Sequence, residues 1–287
     1  MKDLFRNLTI FFLLTAIFRC SKDYNLIDPS SDYFYSLKIG NKWEYTGEFY
    51  AFNFRPDTAG VTFPSDTILY NSVVEIVRTA ILHGSIKTYV LLERLEENDR
   101  YFEGESYFNN REDGLYLYAY QGSVHAIPKP LALNEKRIYF KGRYFSHIRE
   151  IARFIEKVIP FGYETSDSLY YEDPPLQSLK YPVQIGSQWV YRKVGNSWRI
   201  DKKILGKERI GVSAGEFNCY KIQWLYDVDN NGEWDDDIEF FDYICSDGLI
   251  RRDILMKDLI WGELDPDKSS GKFDVKEEFQ LTNFHLE

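Results

Sequence analysis

The segment from Asp227 to Asp237 has the composition that most directly suggests chemistry. It contains no Lys or Arg, and carboxylate and amide side chains recur at alternate positions before Gly232. Oxygens at this spacing converge on Ca²⁺ in calcium-binding loops, where a glycine at the sixth position permits the sharp turn. The sequence therefore predicts a structural Ca²⁺ site with these candidate ligands: Asp227, Asp229, Asn231, Asp235, Asp236 and Asp237.

The acidic segment is not an EF-hand. Ile238 occupies the twelfth position, where an EF-hand has a bidentate Glu, and strand-like sequence flanks the loop. Crowded carboxylates repel one another unless a cation or solvent relieves them, so a solvated acidic hairpin tip is the alternative interpretation.

Two cysteines flank this segment at equal distances from Gly232. If Gly232 is the centre of a β-hairpin, Cys219 and Cys245 face one another across it. Cross-strand neighbours have Cβ atoms about 4.5–5.5 Å apart, near enough for a disulfide after local adjustment. We therefore predict a Cys219–Cys245 disulfide. Two free buried thiols are the alternative, and a β-bulge would shift the pairing.

A Gly-x-Ser-x-Gly match at 211–215 raises the possibility of a hydrolase. In α/β-hydrolases the serine sits between a strand and a helix. Here residues 217–224 alternate between apolar and polar as a strand does, so we interpret the match as a β-turn. The four histidines lack metal-ligand spacing, and no catalytic residue is assigned.

The first 20 residues have the pattern of an export signal. Lys2 and Arg6 precede an apolar run, 8–18, that is shorter than the about 20 residues needed to span a bilayer. These features predict an extracytoplasmic protein.

Cys20 ends the signal in a position that resembles the lipidation cysteine of bacterial lipoproteins. Arg19 departs from the small residue usual before that cysteine, and 21–28 read as a polar tether. The sequence predicts a cell-envelope protein anchored to the membrane through acyl chains on Cys20. Secretion without an anchor is the alternative.

The composition is that of a folded protein with a large core. The chain has 287 residues, of which 44% are hydrophobic and 17% are aromatic. Its net charge of −10 repels phosphate backbones, so nucleic acid is not an expected partner.

Strand-like sequence dominates the chain. Segments rich in β-branched and aromatic residues, several of them alternating between apolar and polar, are separated by Gly, Asn and Asp. The predicted strands are 43–46, 73–82, 86–92, 115–120, 138–144, 189–194, 217–226, 238–245 and 273–281.

The chain also contains an internal repeat. Residues 39–45, Ile-Gly-Asn-Lys-Trp-Glu-Tyr, return as 185–191, Ile-Gly-Ser-Gln-Trp-Val-Tyr, and each copy is followed by a later Asp-Gly-Leu triplet. Repetition at a long period indicates two related structural units. Each repeat glycine is expected in a turn, with Trp43 and Trp189 as core residues.

The predicted fold is mainly β, with two tandem antiparallel sheet units, each a curved sheet or half-barrel, and one connecting helix. Apolar residues recur at helical spacing in 147–159, which predicts that helix. It ends a first unit at 29–160. A linker at 161–177 leads to a second unit at 178–287.

The second unit resembles a recurring pattern of bacterial envelope lipoproteins. The matching stretches are Pro182–Tyr191, Ile210–Tyr220 and Gly248–Ile250, with Ser213 where proline is usual. The resemblance implies a curved antiparallel sheet similar to lipoprotein-carrier half-barrels and an envelope location, with no assigned activity.

Function is therefore expected to be binding or assembly. A concave aromatic sheet could hold an apolar ligand or a protein partner. The alternatives are a secreted Ca²⁺-supported hydrolase and a purely structural surface protein. A deep apolar cavity would favour binding, an acidic cleft would favour the enzyme, and a filled interior would favour the structural protein.

Overall fold

The computed structural model describes residues 35–57, 59–63, 67–125, 137–157, 168–195, 198–262 and 269–287. The described chain contains one α-helix, α1 (Ile148–Lys157), and one 3₁₀ turn at Ser123–His125. Its strands are β1 (Lys42–Pro56), β2 (Ile68–Leu82), β3 (Ile86–Glu97), β4 (Arg100–Arg111), β5 (Gly114–Gly122), β6 (Arg137–Phe140), β7 (Arg143–Phe145), β8 (Tyr170–Lys180), β9 (Gln188–Val194), β10 (Trp198–Val212), β11 (Gly215–Asp227), β12 (Ile238–Cys245), β13 (Gly248–Gly262) and β14 (Ser269–His285).

The prediction of a mainly β, antiparallel protein is confirmed, but the prediction of two tandem sheets is wrong. The strands form one sheet, in the order β8-β5-β4-β3-β2-β1-β14-β13-β12-β11-β10-β9. The first strand pairs with the last along a long antiparallel ladder from Lys42–His285 to Pro56–Gly271. Because this ladder joins the two halves edge to edge, they share one sheet rather than forming a sheet each.

The internal repeat is visible as matching local structure within that sheet. Gly40 donates its backbone N–H to Ile76 O at 2.9 Å, and Gly186 donates to Ile204 O at 2.8 Å. Both glycines have positive φ angles, 96° and 87°. The predicted turns at the two glycines are therefore confirmed, and Trp43 is fully buried, as a core residue should be.

The predicted linker and helix need correction. The helix is present as α1, but it does not connect two sheets. Four apolar side chains of α1 belong to the core inside the single sheet: Ile148, Ile151, Phe154 and Ile155. Tyr170–Lys180, which the sequence placed in the linker and at the start of the second unit, form strand β8 and pair with β5.

The two ends of the sheet, β8 and β9, face each other, so the sheet nearly closes. In the part of the chain that the structure describes, side chains join them in place of a backbone ladder. Trp189 Nε1 donates to Gln177 O at 2.8 Å, and Arg192 forms an ion pair with Glu172. We call this junction the seam. It leaves the sheet with a continuous inner face.

The core lies inside this face as two main clusters. One cluster surrounds α1 and includes Phe49, Trp224 and Phe240, and the other surrounds Trp43 and includes Leu179 and Ile222. No helix among the described residues is long and apolar enough to cross a membrane.

Candidate binding cavity

A cavity of about 230 Å³ lies inside the sheet, where the two core clusters meet. Residues of both clusters contribute to its wall, together with charged side chains from four strands. Its lining residues are Tyr35, Leu91, Ser106, Phe108, Leu115, Leu117, Tyr120, Ser178, Leu179, Tyr191, Arg192, Lys202, Ile222, Trp224, Asp242, Ile244, Leu249 and Arg252.

Lys202 is the central charged group of the cavity. β10 alternates between inward and outward side chains, and the buried neighbours Ile200 and Ile204 place Lys202 on the inner face, where only 5% of it is exposed. Its ammonium donates to Ser178 O at 3.1 Å. It lies 3.8 Å from the ring centroid of Trp224 and 4.3 Å from that of Tyr191, which are cation–π distances.

Burial lowers the pKa of Lys202 to about 7, because the ammonium loses its hydration. The charge of Asp242 opposes this shift and that of Arg252 adds to it. Among the described residues, no carboxylate lies within ion-pair distance of the Lys202 ammonium. Its protonation state therefore changes near neutral pH.

Asp242 and Arg252 form a second polar group beside Lys202. They face each other in the β12–β13 ladder, and Arg252 Nε donates to Asp242 Oδ1 at 2.7 Å. Trp224 Nε1 donates to the other oxygen, Oδ2, at 2.7 Å. Both oxygens of this buried carboxylate are thus already engaged.

Arg192 lies in the cavity wall at the seam. A bulge at Tyr191 places Arg192 opposite the inward-facing Ile200, so both side chains of the pair Tyr191–Arg192 are buried. The guanidinium donates to both carboxylate oxygens of Glu172, with Nη1 at 3.1 Å from Oε2. Its Nε is buried without a hydrogen-bond partner.

The cavity wall combines these charged side chains with a larger apolar part, which we call the apolar end. We define the cationic end as Arg192, Lys202 and Arg252. The two carboxylates beside it, Glu172 and Asp242, are paired with the two arginines. Lys202 is therefore the cation that has no carboxylate partner in the part of the chain that the structure describes. The remaining wall is mainly aliphatic, with Leu91, Leu115, Leu117, Leu179, Ile222, Ile244 and Leu249.

The structure does not support the predicted calcium site. The described residues contain no group of three His, Cys, Asp or Glu side chains that could hold a metal ion. Asp227 is buried and accepts the backbone N–H groups of Asn231 at 2.9 Å and Gly232 at 3.1 Å. Asp229 accepts the side-chain amide of Asn231 at 3.0 Å. The oxygens expected to bind a cation thus hold the loop together.

A lysine supplies the positive charge that the acidic segment lacks. Lys141, in the turn between β6 and β7, forms ion pairs with Asp235 and, at 2.7 Å, with Asp237. Burial raises the pKa of Asp237, and the bond to Lys141 opposes that rise. Asp236 is exposed and belongs to no metal-binding group among the described residues.

Cys219 and Cys245 do not form the predicted disulfide, although the predicted register is confirmed. β11 and β12 pair from Trp224–Phe240 to Tyr220–Ile244, the alignment expected for a hairpin centred on Gly232. Cys219 and Cys245 are both buried, and no disulfide joins them. The ladder ends one pair before them, at Tyr220–Ile244. Correct register alone therefore does not produce the bond.

The Gly-x-Ser-x-Gly segment is a hairpin turn, as interpreted. β10 ends at Val212 and β11 begins at Gly215, so no helix follows Ser213. The lipidation candidate Cys20 and the tether at 21–28 lie outside the described residues.

Sequence reasoning missed the cavity residues. The sequence does contain an indication of them. In a strand whose side chains alternate between the interior and the solvent, a charged residue stands at a position that faces the interior. Lys202 stands between Ile200 and Ile204, and Asp242 stands between Phe240 and Ile244. Arg192 could not be found this way, because the bulge in β9 changes which residues face inward.

Comparisons with known proteins identify no family. No protein-family model matches the sequence, and no curated protein matches it. Three solved structures align with most of the chain.

A proposed exported protein with a YmcC-like fold from Bacteroides fragilis has 11% identity and a TM-score of 0.38, over 88% of this chain and 99% of that one. A proposed lipoprotein from Parabacteroides distasonis has 12% identity and a TM-score of 0.29, over 88% and 98%. An outer-membrane channel from Pseudomonas putida has 9% identity and a TM-score of 0.19, over 89% and 99%. At these TM-scores the similarities assign neither fold family nor activity.

Proposed function

We propose that this chain is a lipid-anchored cell-envelope protein that binds an apolar ligand inside its sheet. The observation that carries the proposal is the cavity between the two core clusters, with its aliphatic wall. Ligand sites are typically concave and mostly apolar, with a few polar groups that fix orientation.

The location rests on the sequence. The apolar run at 8–18, the cysteine at position 20 and the polar residues after it favour export followed by acylation of Cys20. Radiolabelled palmitate incorporated into the wild type and absent from Cys20→Ser supports the anchor. Equal labelling of both proteins contradicts it.

The cavity favours binding over the two alternatives. A purely structural protein has no need of an unfilled interior, because unfilled volume costs stability. A polymer hydrolase needs a pair of carboxylates flanking an accessible bond. Here the carboxylate in the wall, Asp242, is bonded to Trp224 and Arg252 through both oxygens.

Thermal unfolding with 1-decanol, a neutral apolar probe, tests the proposal. The protein used is the mature chain from residue 20 with Cys20→Ser, which needs no detergent. A ligand that binds the folded state raises Tm with concentration, by about 2.7 kcal/mol of stability at 100 times Kd.

Two Leu→Trp variants distinguish the cavity from the outer surface. Leu117→Trp fills the cavity, whereas the control Leu205→Trp changes a side chain that is 40% exposed. We expect decanol to stabilise the wild type and Leu205→Trp, and not Leu117→Trp. No stabilisation of the wild type, or equal stabilisation of all three proteins, contradicts binding in the cavity.

A further inference from the structure

We propose that the ligand of this cavity is an anionic amphiphile, an acyl chain with a carboxylate head group, and that Lys202 binds the head group with Arg192 beside it. This inference rests on the proposed function and names the ligand class of the same site. The apolar end of the cavity would hold the chain, and the cationic end would hold the carboxylate.

Unused hydrogen-bond donors at the cationic end point to an anion. An ammonium has three donors, and Lys202 uses one on Ser178 O. Arg192 keeps a buried Nε without a partner although it is paired with Glu172. Buried donors without acceptors cost stability, and donors on charged groups cost most. The unused donors of Lys202 and Arg192 belong to side chains in the wall of one cavity. A carboxylate bound in this cavity would accept hydrogen bonds from them.

The charge balance at the cationic end favours the same ligand. Arg192 and Arg252 each have a carboxylate partner, and Lys202 has none within the described ranges. A buried charge needs a partner or it becomes neutral. A bound carboxylate would be that partner, whereas a neutral or cationic ligand would leave Lys202 uncompensated.

The size of the cavity limits the length of the chain. Its volume, about 230 Å³, is below the roughly 300–1,000 Å³ usual for pockets that hold drug-sized ligands. A medium-length acyl chain suits this volume better than a whole phospholipid does. Decanoate is therefore the probe.

Binding of an anion should be linked to uptake of a proton. Burial lowers the pKa of Lys202 to about 7, so a large fraction of the protein carries a neutral amine at neutral pH. A carboxylate favours the charged ammonium and raises this pKa. Affinity for decanoate should therefore fall as pH rises above about 7, by up to roughly tenfold per pH unit.

The other titratable groups of the cavity wall do not account for a pH dependence near neutral pH. On β9, burial raises the pKa of Tyr191 to about 12, and on β5 burial raises the pKa of Tyr120 further above its usual value. The charged neighbours are the ion-paired groups Arg192 on β9, Glu172 on β8, Asp242 on β12 and Arg252 on β13. Of these groups, Lys202 is the one whose pKa lies near neutral pH. Outside the cavity wall, the pKa of the Cys245 thiol is lowered by its hydrogen bond to Cys219.

Calorimetric titration with three probes of equal chain length tests the inference. The probes are decanoate, decyl phosphate and 1-decanol, each below its aggregation concentration. The proteins are the wild type, Lys202→Met, and Lys203→Met, which removes the same charge from the neighbouring, outward phase of β10.

We expect Lys202→Met to weaken decanoate binding by about 10- to 100-fold, the range for a hydrogen bond to a charged group, and to leave decanol binding unchanged. Lys203→Met should bind like the wild type. The pH dependence of decanoate binding between pH 7 and 9 should disappear in Lys202→Met.

Each other outcome has a defined meaning. Tighter binding of decyl phosphate than of decanoate keeps the anion site and assigns a phosphate ester as its head group. If decanol binds as tightly as decanoate, or if Lys202→Met loses both equally, the anion site is wrong while the apolar cavity stands. If no probe binds the wild type, the proposed function itself fails.

Discussion

Lys202 combines two properties that rarely occur together: it is buried and lacks a carboxylate partner among the described residues. Its neighbours are Ser178 O and the faces of Trp224 and Tyr191. Cation–π contacts and one carbonyl return only part of the hydration energy that an ammonium loses. A residue that costs stability without improving packing is expected at a functional site.

Because burying the Lys202 ammonium costs stability, the stability of the ligand-free protein should depend on pH. The usual pKa of lysine, 10.5, falls to about 7 for Lys202 in the folded state. Between these values the unfolded chain binds a proton that the folded chain does not, so the contribution of Lys202 to stability improves as pH rises from about 7 to 10.5. Below pH 7 both states are protonated and the penalty is largest.

Lys202→Met should therefore be more stable than the wild type by about 2–4 kcal/mol at pH 6, with the difference shrinking toward zero near pH 10. Urea unfolding at several pH values measures this. Lys203→Met, on the outward phase, should show no such trend. A Lys202→Met difference that is independent of pH would mean that Lys202 is not a titrating buried group.

Lys141 supplies positive charge beside the acidic segment. The acidic segment was predicted to repel itself unless a cation or solvent relieves it, and a lysine from a distant part of the sequence supplies positive charge there. Local composition alone could predict the need for a charge, but not its source, because β6–β7 reaches the loop only through the fold.

Lys141→Met should destabilise the protein by about 1–3 kcal/mol at pH 7, because it leaves Asp235 and Asp237 adjacent and partly buried without a counter-charge. Without Lys141 the pKa of Asp237 rises further, so protonation removes the repulsion as pH falls. The deficit should accordingly be smaller at pH 4, as measured by urea unfolding.

Lys257→Met is the matched control, since Lys257 and Glu239 form an exposed pair that should contribute about 0–1 kcal/mol. If Lys141→Met costs no more than Lys257→Met, the lysine is not the counter-charge of the loop.

Sequence patterns predict most of the strands but not all of them. All nine predicted segments contain strand, and the β11–β12 register was correct because the acidic turn fixes its centre. Four strands were missed: β4, β8, β10 and β13. β8 carries Asp173-Pro174-Pro175, which is typical of a linker, and it is tolerated because β8 ends the sheet.

The seam between β8 and β9 depends on side chains, which makes it sensitive to single substitutions. Arg192 and Glu172 are each less than a tenth exposed, and each is the other's buried counter-charge. Removing one member of a buried pair leaves an uncompensated charge, which costs about 3–5 kcal/mol.

Arg192→Met and Glu172→Leu should each lower the free energy of unfolding by roughly that amount. The double variant Arg192→Met/Glu172→Leu should recover most of the loss, because two apolar side chains of similar size replace the pair. Chemical unfolding of the four proteins completes the cycle. Additive losses in the double variant would show that the two side chains are not coupled.

At the scale of the whole molecule, the internal repeat correctly indicates two runs of strands in the same order, but it does not predict how many sheets they form. β1 to β5 with β8, and β9 to β13 with β14, are two six-strand runs in the same order. A sequence repeat cannot reveal whether such runs close separately or join, because that depends on edge pairing. Here the β1–β14 ladder joins them.

Unfolding should consequently be one cooperative transition. We expect the separate segments 29–160 and 178–287 to remain unfolded, because the first lacks the β14 and β8 partners and the second exposes an unpaired β14 edge. Near-ultraviolet circular dichroism and amide dispersion in NMR spectra measure this against the full chain. A native-like spectrum from either segment would contradict the single-sheet description.

The central claim is that an anionic amphiphile binds inside the sheet. A crystal structure with 10-bromodecanoate tests this claim most directly, because the anomalous signal of bromine locates the end of the chain. We predict the carboxylate within about 3 Å of Lys202 Nζ, and the bromine among the aliphatic side chains around Leu115 and Leu179. A bromine peak on the outer surface, or an empty interior at saturating ligand, would contradict this site.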